Sequence, residues 1–137
     1  MKTTVTDREL ISRARAVACN AHAPYSNFRV GTAVETVDGS IFLGCNVENG
    51  SYGLTICAER AAIAAAVASG HTRLRRIAIA AGRATTWPCG ACLQVIAEFG
   101  GPATRVVTAP LGGGAPKSAR LSQLLPRAFA FKIHAAH

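Results

Sequence analysis

The sequence predicts an α/β fold, a three-layer α/β/α sandwich in which helices cover both faces of a mixed sheet of roughly five strands. Apolar runs at residues 30–37 and 41–47 flank Asp38-Gly39, which indicates a β-hairpin. Downstream, segments of helical periodicity alternate with short apolar strands. Because the chain has 137 residues, half of them hydrophobic, we expect one domain over residues 1–137.

A capped helix is predicted before the hairpin. Thr6 and Glu9 have the spacing of a capping box, and apolar residues follow at helical spacing. We expect Cys19 inside this helix and Cys45 inside the second strand of the hairpin, both as buried thiols, since free cysteine packs as a small hydrophobe. The apolar residues of the helix are Leu10, Ile11, Ala14, Val17, Ala18 and Ala21.

The rest of the chain predicts the helices and strands that complete the sandwich. The polar segment at residues 49–56 is expected to be a loop, and an alanine-rich helix runs from Cys57 to about Ser69, with Gly70 as its C-cap. Further on we expect a strand at 75–81, a helix at 90–99, a strand at 105–109, a glycine-rich loop at 111–116 and a helical turn at 121–125.

Charge and cysteine content limit the possible partners and compartment. The net charge of +8 suggests nucleic acid, but the basic residues are scattered and only 6% of the chain is aromatic, so we expect a solvated basic surface. No apolar stretch is long enough to cross a bilayer. The five cysteines and an N-terminus without a leader pattern favour a reducing compartment, and we expect the cytoplasm.

Cys57, Cys89 and Cys92 are the candidate metal ligands. Cysteine ligands and the Cys-x-x-Cys spacing suit a tetrahedral Zn²⁺ site, and three protein ligands leave the open position that is typical of catalytic zinc. The cysteines fall at two predicted helix N-termini, where the partial positive charge lowers the thiol pKa. We therefore expect one zinc ion per chain. No histidine has ligand spacing, and we expect all four at the surface or in the tail: His22, His71, His134 and His137.

Two charged residues follow the first ligand. Glu59 is a candidate proton shuttle beside zinc-bound water, although a glutamate there also complements the helix dipole. Arg60 lies three residues after Cys57 on the same side of the helix, so we expect it to donate to the sulfurs and offset their charge. A surface arginine is the alternative.

These motifs carry a family resemblance. Cys57-Ala58-Glu59 and Pro88-Cys89-Gly90-Ala91-Cys92 match the three-cysteine signature of zinc nucleobase and nucleoside deaminases. With Tyr25-Ser26-Asn27-Phe28 and Leu124-Leu125-Pro126, nearly the whole chain resembles the small homotetrameric cytidine deaminases. The resemblance implies their fold, a homotetramer with shared active sites, and hydrolytic deamination of cytidine and 2′-deoxycytidine in pyrimidine salvage.

The resemblance also implies the substrate contacts on this chain. Phe28 would stack on the pyrimidine, and Asn46 and Glu48 would hydrogen-bond the ribose hydroxyls. The peptide groups of Ala58 and Cys89 would hold the edge of the base. From the residues alone, Asn46 and Glu48 alternate off a strand end onto one face, whereas Phe28 would more often be a core residue.

Four further positions bear on the site. Tyr52 and Phe129 match residues that reach into a neighbouring subunit's pocket in the family. Leu93 stands where arginine is common, which removes a positive charge near the thiolates and makes Arg60 more important. Trp87 replaces a usually small residue, and could reshape the rim of the pocket and the substrate range.

Three rival functions are considered. A deaminase of a modified cytosine nucleoside such as blasticidin S shares the zinc motif, but the combination of Phe28, Asn46, Glu48 and Tyr52 favours the plain nucleoside. An editor of cytosine in a polynucleotide would need an open pocket and would bind with strong salt dependence. A structural or regulatory zinc module would need a fourth protein ligand, for which the sequence offers no well-placed cysteine or histidine.

Overall fold

A mixed sheet of five strands forms the middle layer of the molecule. The computed structural model describes residues 5–131. Its strands are β1 (Val30–Thr36), β2 (Ile41–Cys45), β3 (Leu74–Ala81), β4 (Arg105–Ala109) and β5 (Lys117–Arg120). The strand order is β2-β1-β3-β4-β5; β3 and β4 pair in parallel, and the other neighbours are antiparallel. The predicted hairpin and mixed sheet are confirmed.

Helices cover both faces of this sheet, as predicted. They are α1 (Asp7–Ala18), α2 (Ala58–Ala68), α3 (Gly90–Phe99) and α4 (Leu121–Leu124), and a 3₁₀ turn spans Tyr52–Leu54 in the predicted loop. The α1 helix packs on a face of small residues that includes Ala78 and Ala80. The other three helices pack on the opposite face, where Ile77 and Ile79 project. Successive residues of β3 thus serve the two cores in alternation.

The first helix shows one correct and one wrong prediction. The Thr6 hydroxyl accepts from the Glu9 N–H at 3.1 Å, and the Glu9 carboxylate accepts from the Thr6 N–H at 3.3 Å, so the capping box is present. The helix ends at Ala18, and Cys19 is exposed at its C-cap, so the predicted buried thiol within the helix is wrong. Cys45 does end β2, but it is only partly buried.

The sequence did not locate β5. Its residues, Lys-Ser-Ala-Arg, are mostly exposed and have little β propensity, so no apolar alternation marks them. Pairing with β4 forms the strand, with Thr108 opposite Lys117 and Arg105 opposite Arg120. Charged residues on such an edge also discourage pairing with another chain.

An ion-pair network accounts for part of the basic charge. Arg76 is 5% exposed and contacts Glu35, which is 2% exposed, at 3.0 Å, and Asp7 at 2.7 Å. Arg105 contacts the other Asp7 oxygen at 2.6 Å. The hydrogen bond from Arg105 is the main reason that the pKa of Asp7 is lowered. The network joins the start of α1 to β1, β3 and β4.

The described helices bear on the membrane prediction. None of those within residues 5–131 is both long enough and apolar enough to span a bilayer.

Close packing of α1 on β1 depends on Gly31. A Cβ atom at this position would lie 1.8 Å from the Ala14 carbonyl oxygen and 2.8 Å from the Ala18 nitrogen. We predict that Gly31→Ala lowers the free energy of unfolding by at least about 1–3 kcal/mol, the usual cost of overpacking, because helix backbone must move. Urea unfolding followed by circular dichroism measures the change. Gly112→Ala is the matched control, since a Cβ there meets nothing within 4 Å; equal midpoints for the two variants would contradict the packing argument.

Candidate metal centre and substrate pocket

Two helix N-termini bring the three candidate ligands together. Cys57 is the N-cap of α2, Cys89 is the N-cap of α3, and Cys92 lies in the first turn of α3. Their sulfur atoms all lie within 4.8 Å of one another. Cys92 is buried, Cys57 is partly buried and Cys89 is exposed. The cluster therefore has a closed side and an open side.

The chemistry of this donor set fits a zinc ion. Burial, together with the neighbouring charges of Glu59 and Cys57, raises the pKa of the Cys92 thiol far above its ordinary value. The backbone hydrogen bond from Cys92 is the main cause that lowers the pKa of Cys89. Three adjacent thiolates repel one another, so a bound cation is needed to keep them ionised together. Tetrahedral Zn–S bonds of about 2.3 Å separate the sulfurs by about 3.8 Å, which is compatible with this cluster.

Arg60 lies against the cluster, where the sequence predicted a donor. Its Nη2 atom is 3.5 Å from the Cys57 sulfur and 3.4 Å from the Thr55 carbonyl oxygen. The contact with Cys57 raises the pKa of the guanidinium. Leu93 is 7% exposed and belongs to the core between helices and sheet. Among residues 5–131, Arg60 is the one cation with a hydrogen bond to a cluster sulfur.

Glu59 is a buried carboxyl group beside the sulfurs. It lies in the first turn of α2 with 6% of its surface exposed. Burial is the main cause that raises its pKa, opposed by hydrogen bonds and by the charge of Arg60. A glutamate that only complemented a helix dipole would keep its carboxylate in water, where no desolvation is paid. Its burial therefore favours a chemical role.

The sulfurs and Glu59 open onto a cavity of about 320 Å³. Several of its wall residues had no signal in the sequence, because an isolated serine, threonine or aliphatic residue has no diagnostic spacing. Ala58, whose peptide was predicted to hold the base, is 1% exposed and also lines the cavity. The wall residues that sequence reasoning missed are Ser26, Val30, Thr55, Ile79 and Thr86.

Both predicted ribose-binding residues line the cavity, and each also holds backbone in place. The Asn46 amide donates to the Phe28 carbonyl at 2.8 Å and accepts from the Val30 N–H at 2.9 Å. Glu48 accepts from the Tyr25 and Ser26 N–H groups at 3.0 and 3.2 Å and from the Ser26 hydroxyl. The Ser26 hydroxyl is the main cause that lowers the pKa of Glu48. Glu48 is thus an ionised acceptor in the wall of the cavity.

Phe28 and Trp87 form the aromatic part of the wall. Phe28 packs against Gly82, which has a φ of +64°, and a Cβ atom there would lie 3.2 Å from the Phe28 ring. The loop at residues 82–88 then turns toward Cys89. The Thr108 hydroxyl donates to the Thr86 carbonyl at 2.6 Å and ties this loop to β4.

Tyr52 and Phe129 lie outside the cavity of their own chain. Tyr52 is 77% exposed and makes an edge contact with Tyr25 at a centroid distance of 6.1 Å. Phe129 is 70% exposed, and its carbonyl accepts from the Gln94 amide at 2.9 Å.

Neither of the histidines within residues 5–131 belongs to the sulfur cluster or lines its cavity. His22 is exposed, as predicted. His71 is partly buried beside Asp38 and the Phe42 ring, which corrects the expectation of a surface residue. His134 and His137 lie outside the described residues.

Comparison with known families agrees with this geometry. Residues 4–109 match the model described as the cytidine and deoxycytidylate deaminase zinc-binding region. The chain belongs to this family. The predictions of an enzyme and of one zinc ion per chain are therefore confirmed, and the cluster of Cys57, Cys89 and Cys92 fits that ion.

Several relatives of this deaminase match over most of their length. The chain is 43% identical to the cytidine deaminase of Halalkalibacterium halodurans over 90% of the chain and 94% of the relative. It is 40% identical to that of Sporosarcina psychrophila, over 88% and 89%. The crystal structure of cytidine deaminase from Burkholderia pseudomallei superposes with a TM-score of 0.86 at 44% identity, covering 91% of this chain and 100% of that one.

Arg60 is expected to support metal binding in this deaminase. Because it donates to the Cys57 sulfur, we predict that Arg60→Gln weakens zinc affinity by about 10–100-fold, as is typical when a partner of a metal ligand is lost. Competition against a chromogenic chelator measures the affinity. Arg8→Gln, an exposed position on α1 beyond the far face of the sheet, is the control. Unchanged zinc affinity in Arg60→Gln would show that the contact does not stabilise the thiolates.

Proposed function

We propose that this chain catalyses the hydrolytic deamination of cytidine and 2′-deoxycytidine to uridine and 2′-deoxyuridine, with release of ammonia. The observation that carries the proposal is the buried carboxyl of Glu59 beside the three clustered sulfurs, in the wall of one cavity. The relatives that match most of the chain are named cytidine deaminases, which supports the same substrate.

The proposed mechanism assigns the proton transfers to Glu59. Zinc held by the cysteines supplies Lewis acidity, which lowers the pKa of water toward about 7. Glu59 takes a proton from the water that attacks C4 of the base and delivers it to the ring nitrogen N3. A second proton passes through the same carboxyl to the amino group, which leaves as ammonia. Burial of Glu59 favours this role because it raises the affinity of the carboxylate for a proton.

The remaining wall residues would bind the nucleoside. Phe28 would stack on the pyrimidine, the Ala58 and Cys89 peptides would hold its edge, and Asn46 and Glu48 would receive the ribose hydroxyls. The hydrogen bonds around Glu48 support this assignment, since they hold it ionised and oriented. An ionised acceptor suits the hydroxyl donors of a sugar.

An uncharged nucleoside is favoured over a polynucleotide as the substrate. The described residues that line the cavity include Glu48 and Glu59 but neither lysine nor arginine. A phosphate backbone would meet carboxylates there without a neutralising cation. The basic surface of the chain therefore offers no argument for an editing function at this site.

We also propose a single-domain homotetramer that acts in pyrimidine salvage in the cytoplasm. The exposed Tyr52 and Phe129 support shared sites, because large aromatic residues outside their own pocket are available to a neighbouring subunit. Cys19 and Cys45 are free thiols, and the metal site needs three further cysteines as thiolates. Both observations support a reducing compartment.

Nucleoside turnover tests the proposal directly. Loss of ultraviolet absorbance is followed with cytidine, 2′-deoxycytidine and blasticidin S on protein of determined zinc content. We expect turnover of the two plain nucleosides at about one zinc per chain. Turnover of blasticidin S alone would reject the proposal in favour of a modified cytosine nucleoside as the substrate. This alternative is tested because Trp87 lines the pocket.

Glu59 is tested separately from metal binding. Glu59→Gln should retain zinc, since the thiolates are untouched, and lose at least about 10²–10⁴-fold in kcat, because the amide cannot carry the proton. Atomic absorption and the ultraviolet assay give the two readouts. A control is Glu98→Gln, an exposed carboxylate on α3 away from the cavity. A Glu59→Gln variant with near-normal kcat would rule out the proton-shuttle role.

A further inference from the structure

Trp87 is the largest side chain that lines the cavity. It is 37% exposed, so its ring is neither a core residue nor free in solvent. The loop that carries it is fixed at three points: Gly82 packs against Phe28, Thr108 binds the Thr86 carbonyl, and Pro88 is buried. A bulky side chain on a restrained loop forms a wall of defined position.

Trp87 and Glu59 both line the cavity but are carried by elements that lie over different strands of the sheet. The α2 helix, which carries Glu59, packs over β1 and β2. The loop that carries Trp87 leaves the end of β3 and is tied to β4 by Thr108. Val30 of β1 and Ile79 of β3 line the cavity between them. A ligand above these strands has Glu59 on one side and the Trp87 loop on the other.

This arrangement orients a cytosine ring, on the basis of the proposed function. C4 must lie at the open side of the sulfur cluster, and N3, bonded to C4, must face Glu59 to receive its proton. The other ring neighbour of C4 is C5, which therefore faces away from Glu59. The C5 edge therefore faces the side of the cavity on which the Trp87 loop lies.

We infer that Trp87 is a specificity-determining residue that limits the size of the substituent a pyrimidine can carry at C5. The wild-type enzyme accepts hydrogen at C5 and discriminates against a methyl group or bromine. One added methylene-sized group in an apolar pocket is worth about 10–200-fold in kcat/KM. Removing the indole should relieve a discrimination of that size.

The experiment compares cytidine with 5-methylcytidine and 5-bromocytidine in wild type, Trp87→Ala and Trp87→Phe. The readout is the ratio of kcat/KM for cytidine to that for each analogue, and its change between variants cancels the electronic effect of the substituent. We expect the ratio to fall by about 10–200-fold in Trp87→Ala and by less in Trp87→Phe, which keeps an aromatic wall. Arg83→Ala, an exposed residue of the same loop that does not line the cavity, should keep the wild-type ratio.

Ligand binding gives a second readout that does not depend on turnover. Because Trp87 is the only tryptophan in the chain, tryptophan emission reports on this residue alone. Zinc-loaded Glu59→Gln protein is titrated with cytidine, and both heat and tryptophan emission are recorded. We expect the tryptophan emission to change and saturate, with a midpoint at the same cytidine concentration as the calorimetric titration. This titration also serves if Trp87→Ala fails to fold.

The outcomes separate this inference from the proposed function. An unchanged ratio in both Trp87 variants, a wild-type ratio near one, or calorimetric binding without an emission change overturns the role of Trp87 while cytidine turnover stands. Absence of cytidine turnover by zinc-loaded wild type rejects the proposed function, and the orientation of the base falls with it.

Discussion

The site depends on the meeting of two helix N-termini at one end of the sheet. Cys57 begins α2 and Cys89 begins α3, and their sulfurs approach Cys92 closely enough to share one metal ion. Neither helix alone supplies the donor set. Their relative position is fixed by a common core with the sheet, in which Ile63 of α2 and Ile96 of α3 are almost fully buried. The fold therefore forms the site by fixing the N-termini of α2 and α3 next to each other.

The same geometry creates an electrostatic problem that the metal resolves. Both Glu59 and Cys92 are withdrawn from water, and burial raises the pKa of each. The charge of Glu59 further opposes ionisation of Cys92, whereas the hydrogen bond from the Cys92 side chain favours the ionised form of Glu59. Arg60 offsets part of the negative charge, but Leu93 contributes none. A divalent cation is the remaining compensation. A cation at the sulfurs favours the ionised forms of Cys92 and Glu59 together, so metal binding and the protonation state of Glu59 are linked.

The sequence predicted most strongly where local patterns coincide with the final structure. The α3 helix and β4 have the predicted bounds, and the Thr6 capping box is present, because caps and apolar runs are local signals. The β5 strand was missed because its pairing with β4, not its residues, makes it a strand. Cys19 was predicted inside α1 but is its C-cap, because apolar periodicity does not locate the end of a helix to a single residue. Asn46 was predicted only as a ligand contact, since its bonds to Phe28 and Val30 require knowledge of the chain's path.

The loop at residues 82–88 links the wall of the cavity to the sulfur cluster. Trp87, in the cavity wall, stands two residues before Cys89, so a change in the wall risks displacing a ligand. Pro88, which is buried, lies between them, and its ring fixes one backbone dihedral at the junction. The Thr108 hydroxyl holds the loop from the other side. Because Cys89 is the N-cap of α3 and Thr86 is tied to β4, we expect the sulfur cluster to stay in place when the side chain at position 87 is made smaller.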